Sequence, residues 1–143
     1  MILGYPGETE REFSELCNFV NEIEFDRLGT FDYSDEEGTA SYLLGDKVQP
    51  RIINHRRSHL MKLQAKISRK KNRQRVGQRY NLLVEGQSEE TDLLWQGRLE
   101  SQAPRIDGVV LINDAAGNPP EAGQFRTVEI SQALDYDLVG KLV

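Results

Sequence analysis

Ile2-Leu3-Gly4-Tyr5-Pro6-Gly7-Glu8-Thr9 is followed, after one helix length, by Phe25-Asp26-Arg27-Leu28-Gly29-Thr30-Phe31-Asp32-Tyr33-Ser34-Asp35-Glu36-Glu37-Gly38-Thr39. Together these strings read as a strand, a tight turn, a helix and a second strand. Thr9 suits an N-cap, Glu12 completes a capping box, and Phe13, Leu16, Cys17, Val20 and Ile23 recur at helical spacing on one face. The pattern predicts a βαβ half-unit. Gly4, Pro6 and Gly7 set a turn against the helix start, where backbone N–H groups and the positive end of the macrodipole can meet a polar or anionic ligand. The plainer reading of the same residues is a Gly-Pro turn leaving a strand.

The net charge of −5 conceals a strong segmentation. Residues 1–50 carry twelve acids and three bases, residues 51–79 eleven bases and no acid, and residues 80–143 eleven acids and four bases. The basic block predicts a helix from about Pro50 to Arg75, with Ile53, Leu60, Leu63 and Ile67 as a narrow apolar seam and Gly77 as the stop. Its polar side is Arg56, Arg57, Lys62, Lys66, Arg69, Lys70, Lys71, Arg73 and Arg75. Such a block either pairs with the acidic segments on both sides of it or contacts nucleic-acid phosphates, with Arg69 to Arg75 as the candidates for the second role. His55 and His59, four residues apart on this helix, make at most half a metal site and read as surface or packing residues.

From Arg79 the periodicity changes from helical to alternating. Strands are expected at about Tyr80 to Glu85, Leu93 to Glu100, Gly108 to Asn113, Gln124 to Ser131 and Asp137 to Leu142. Five short strands suit a closed OB-like barrel, which leaves no exposed edge. Val84, Leu99, Val110, Ile112, Val128, Ile130 and Val139 are the expected inward residues, and Trp95 is either core or a stacking platform. The acidity of residues 80–143 repels phosphate and either attracts a basic protein, with Glu89, Glu90 and Asp92 as the candidate substrate-binding residues, or serves only to keep a small domain soluble.

The strings at positions 2–9 and 25–39 closely resemble the methylthiotransferase branch of the radical S-adenosylmethionine enzymes. His55-Arg56-Arg57-Ser58-His59-Leu60-Met61-Lys62-Leu63-Gln64-Ala65-Lys66-Ile67-Ser68 resembles the helix after that family's barrel, and the remainder resembles its C-terminal TRAM domain. Ala103-Pro104-Arg105-Ile106-Asp107-Gly108, Asp135-Tyr136-Asp137-Leu138-Val139-Gly140 and Asp26-Arg27-Leu28-Gly29 are similar to the ribosomal-protein aspartate branch, not the tRNA-modifying relatives. The resemblance implies an α/β fragment followed by all-β. Residues 1–47 are then the last strands and helices of a radical SAM (β/α) barrel, residues 48–76 a basic linking helix, and residues 77–143 the TRAM domain.

It further implies a methylthiotransferase that modifies an aspartate of the basic small-subunit ribosomal protein S twelve, using S-adenosylmethionine and two 4Fe–4S clusters, with ribosomal RNA as the nucleic acid that Arg69 to Arg75 would contact on the nucleic-acid reading of the basic helix. Gly4, Tyr5, Pro6 and Gly7 would line the adenosine side of the cofactor pocket; none is a catalytic acid or base. The cysteines depart from the family pattern. Each cluster is held by three thiolates, and this sequence has Cys17 alone, on the apolar helical face. The chain therefore reads as the C-terminal part of the enzyme, with Met1 falling on the fifth barrel strand, no cluster expected on it and no activity alone. The alternatives are part of a tRNA methylthiotransferase, or a stand-alone TRAM-type RNA-binding module. No apolar run approaches the length of a spanning helix, no signal-like start is present, and one cysteine excludes an internal disulfide, so the expected compartment is the cytoplasm.

Overall fold

The computed structural model of the chain describes residues 1–88 and 91–143, which divide into two units, Met1–Ile67 and Ser68–Val143. In the first, β1 (Ile2–Leu3) leads through the turn into α1 (Glu10–Ile23) and on to β2 (Phe31–Asp32). The two strands pair in parallel, Ile2 opposite Phe31 and Leu3 opposite Asp32, and α1 is the crossover that parallel pairing requires. The expected βαβ pattern therefore forms. One strand pair and one crossover helix make that unit and not a barrel.

Thr9 caps α1 as its sequence suggests. The Glu12 N–H donates to Thr9 Oγ1 at 3.3 Å, and the Thr9 N–H donates to the Glu12 carboxylate at 2.7 Å, which holds that carboxyl below the usual range. Of the expected apolar face, Phe13 and Val20 are buried and Leu16 and Cys17 half-buried, whereas Ile23 is 51 % exposed. Ile23 is the last residue of α1. Glu24 follows it at φ 51° and the packed stripe ends there. α2 (Pro50–Gln74) ends one residue short of expectation. Its Leu60 and Ile67 are buried and its Ile53 and Leu63 partly so, in one cluster with Leu3, Phe13 and Val20.

The second unit holds β3 (Arg79–Gln87), β4 (Trp95–Leu99), β5 (Val110–Asp114), β6 (Phe125–Ala133) and β7 (Leu138–Leu142), closed in the order β3-β4-β5-β7-β6. Only β5 and β7 run parallel; every other pair is antiparallel. This is the OB-like barrel expected from five short strands, each within two residues of its expected bounds. Six of the seven expected inward residues are buried, and Leu82, Leu138 and Leu142 join them. Val139 is the exception and is corrected: alternation along β7 turns Leu138, Gly140 and Leu142 inward and leaves Val139 half-buried on the other face. Trp95 is half-buried and packs against this core. Among the described residues no helix is long and apolar enough to cross a membrane.

Candidate functional site

The turn after β1 brings Gly4, Tyr5, Pro6 and Gly7 together, and it divides them by exposure. Gly4 and Pro6 are buried; Tyr5 and Gly7 face outward. Gly4 sits at φ 84°, and an added Cβ would lie 2.3 Å from Ile53 Cδ1, so a side chain there meets both backbone strain and α2. At Gly7, also at φ 84°, a Cβ would meet open space. Three N–H groups here already have acceptors: Gly4 donates to Glu8 Oε2 at 3.0 Å, Gly7 to Asp46 O at 2.9 Å and Glu8 to Tyr5 O at 2.9 Å. The helix start thus carries its own anion. What the turn presents outward is the Tyr5 ring, which meets the Tyr33 ring edge-on at 5.5 Å; Gly7, at the end of the turn, borders a shallow cleft of about 400 Å³ with Thr9, Lys47, Gln49 and Arg56.

Glu8 is held in place from α2. Arg56 Nη1 donates to Glu8 Oε1 at 2.5 Å and to the Glu8 carbonyl at 3.1 Å, Nη2 reaches Glu10 at 3.2 Å, and the guanidinium lies over the Phe13 ring at 5.4 Å. Arg56 is 4 % exposed, so this member of the helix's polar side is buried against acids of the preceding segment. Two more of the block's arginines pair with acids: Arg57 with Asp32 at 2.6 Å, and Arg69 through both guanidinium arms with Asp135 at 2.5 and 2.7 Å. The second pairing holds the Asp135 carboxyl below the usual aspartate range. At these positions the helix meets its acidic partners within the chain. Lys62, Lys66 and Arg73 remain exposed.

His59 packs edge-on against Phe13 at 5.8 Å, and among the described residues no three His, Cys, Asp or Glu side chains gather as a metal-holding group. Cys17 is half-buried, and burial pushes its thiol up, away from the thiolate that a cluster needs. One raised thiol does not fit an iron–sulfur cluster.

On the barrel, register aligns Phe125 with Leu83 and Leu83 with Arg98 across β6, β3 and β4. This row lines a cleft of about 440 Å³ with Asn81, Leu99 and Glu100. Phe125 is 68 % exposed, and Arg98 is neutralised by Glu85 at 3.0 Å. Glu100 lies at the rim, exposed.

Residues 76–143 match the TRAM domain family. Along its whole length the chain is similar to proteins named ribosomal protein uS12 methylthiotransferase RimO. It is 53% identical to that of Solibacter usitatus over 142 residues, 51% to that of Koribacter versatilis and 49% to that of Myxococcus xanthus over 143, in each case at least 99% of this chain. The likeness is to the RimO family, with residues 76–143 matching the TRAM domain. It spans about three tenths of the length of these relatives, 28–30%.

The structure changes the electrostatic setting of the TRAM domain. The unit that packs around it begins at Ser68, so it takes in Arg69, Lys70, Lys71, Arg73, Arg75 and Arg79 and holds eleven acids against ten bases. Several of those acids are committed internally. Glu129 pairs with Arg79 and Lys141 at 3.0 and 3.1 Å, and Asp137 accepts the Val109 N–H at 2.8 Å. Attraction for a basic partner must then be local to a face and not a property of the whole domain. Of the candidates Glu89, Glu90 and Asp92, the two glutamates lie outside the described residues; Asp92 is exposed in the turn before β4. The Phe125 cleft escaped sequence reading. Its one signal is an aromatic residue opening β6 at an outward position.

Proposed function

We propose that this chain is the C-terminal part of a methylthiotransferase that modifies an aspartate of ribosomal protein uS12, and that its TRAM domain docks that substrate. The observation carrying this reading is the 46–53% identity to proteins named for that activity, extending over the whole chain. Residues 1–47 are proposed to close a radical SAM barrel, residues 48–76 to link, and residues 77–143 to dock, in the cytoplasm. S-adenosylmethionine fits the turn in two respects: Gly7 has open space where a Cβ would be, and Tyr5 offers a half-exposed ring to an adenosine. Bound there with the clusters of the longer protein, it would supply the radical chemistry. This chain's residues bind and orient, and alone it is inactive, because it lacks the thiolates.

Docking is assigned to the acidic turn holding Asp92, flanked by Glu89 and Glu90, together with Glu100 and the Phe125 cleft. Exposed carboxylates attract a basic protein, and Glu100 brings one to the cleft itself, whose apolar floor desolvates whatever seats on it. Titrating the chain with uS12 and with a single-stranded RNA at matched ionic strength tests this. The expected result is tighter binding of uS12, weakening steadily with salt, and slower association when Glu89, Glu90 and Asp92 are neutralised together. Tighter binding of the RNA would overturn the assignment and move the exposed bases of α2 to the interface.

A further inference from the structure

We infer that Glu8 and Arg56 are positioning residues for the turn Gly4 to Gly7, the buried guanidinium locking a carboxylate that in turn fixes the Gly4 N–H. The inference rests on the proposed reading of that turn as a ligand-facing element. Three features carry it. First, the Glu8 carboxylate is used on both oxygens: Oε2 accepts the Gly4 N–H at 3.0 Å and Oε1 accepts from Arg56 at 2.5 Å. Second, both side chains are withdrawn from water, Arg56 at 5 % exposure and Glu8 at 14 %. Third, Arg56 Nε is buried and makes no hydrogen bond.

That third feature argues against a purely stabilising role. A buried ion pair gains little over apolar residues of the same volume, and an unsatisfied buried N–H adds a cost. An arginine kept at such a position is explained by the geometry it imposes. The geometry imposed is that of the turn. Gly4 is held by Glu8 and Gly7 by the Asp46 carbonyl, so the intervening Tyr5 is presented on a backbone fixed at both ends. Such preorganisation acts on ligand affinity more than on the rate of a chemical step.

Two variants of the chain and two measurements test this. In Glu8→Ala the Gly4 amide is expected to exchange about tenfold faster, the equivalent of one lost hydrogen bond. In the full-length methylthiotransferase the same change is expected to raise KM for S-adenosylmethionine several-fold with kcat nearly unchanged. The charge-swapped pair Glu8→Arg with Arg56→Glu restores an ion pair but no acceptor for Gly4. It should recover the melting temperature and recover neither exchange protection nor KM. Glu8→Gln, which keeps an oxygen for Gly4, supplies the measurement if Glu8→Ala does not fold, and should retain slow exchange. Unchanged Gly4 exchange in Glu8→Ala, or a swap that recovers exchange along with melting, would overturn the inference. Fast exchange with KM unmoved would instead remove the turn from the ligand site and overturn the reading beneath it.

Discussion

Gly108→Ala is expected to cost the TRAM domain about 3 kcal/mol or more, a large part of the roughly 5–15 kcal/mol that holds such a domain folded. The added Cβ would lie 2.0 Å from the Tyr136 carbonyl oxygen and 2.7 Å from Asp137 Oδ1. Neither can yield cheaply. Asp137 Oδ1 accepts the Val109 N–H at 2.8 Å, its carbonyl accepts the Leu134 N–H at 2.9 Å, and the Leu138 N–H donates to Val109 O at 3.0 Å, so relief means unpicking the start of β7. Gly117→Ala is the informative contrast. Gly117 sits at φ 80° with nothing within 4 Å of an added Cβ, leaving only left-handed strain of about 1–2 kcal/mol. Trp95 is the chain's single tryptophan and packs against the barrel core, so urea unfolding followed by its fluorescence reads both variants. Equal shifts in the two midpoints would refute the steric argument.

Arg56→Ala is expected to destabilise the unit Met1–Ile67 by about 3–5 kcal/mol, since removing one member of a buried pair leaves the other uncompensated. Glu8 would keep the Gly4 N–H and lose its countercharge, and Phe13 would lose the guanidinium over its ring. The exposed pair Arg11–Glu15, at 2.9 Å with side chains 87 % and 60 % exposed, sets the scale for the opposite case. Arg11→Ala should cost no more than about 0.5 kcal/mol. Because Trp95 lies in the other unit, the readout is amide exchange at the buried Val20 of α1. Similar losses of protection in the two variants would contradict the placement of Arg56.

Much of this fold was legible because its signals are local. Thr9 and Glu12 make a capping box three residues apart, α2 announces itself by Pro50 and by charge, and the five strands alternate between turn-forming links. Legibility failed where a choice of phase depended on distant partners. Leu138-Val139 is a run of consecutive apolar residues, in which either parity could face inward. Pairing of β7 with β5 and β6 decides for Leu138 and against Val139. Arg56 failed for the same reason. Within a block of eleven bases it looks like its neighbours, and the carboxylate that buries it is 48 residues away. The Gly4 to Gly7 turn was visible as a turn, but the closure of its N–H groups by Glu8 and Asp46 was not.

The most direct test of a uS12-modifying role is mass spectrometry of uS12 from cells whose copy of the gene lacks the codons for residues 76–143. If the TRAM domain docks this substrate, the aspartate should be found without its methylthio group, and restoring those codons should return it. Methylthiolated uS12 in the truncated strain, accompanied by loss of the methylthio group from a tRNA adenosine, would contradict the reading and place the chain with the tRNA-modifying enzymes.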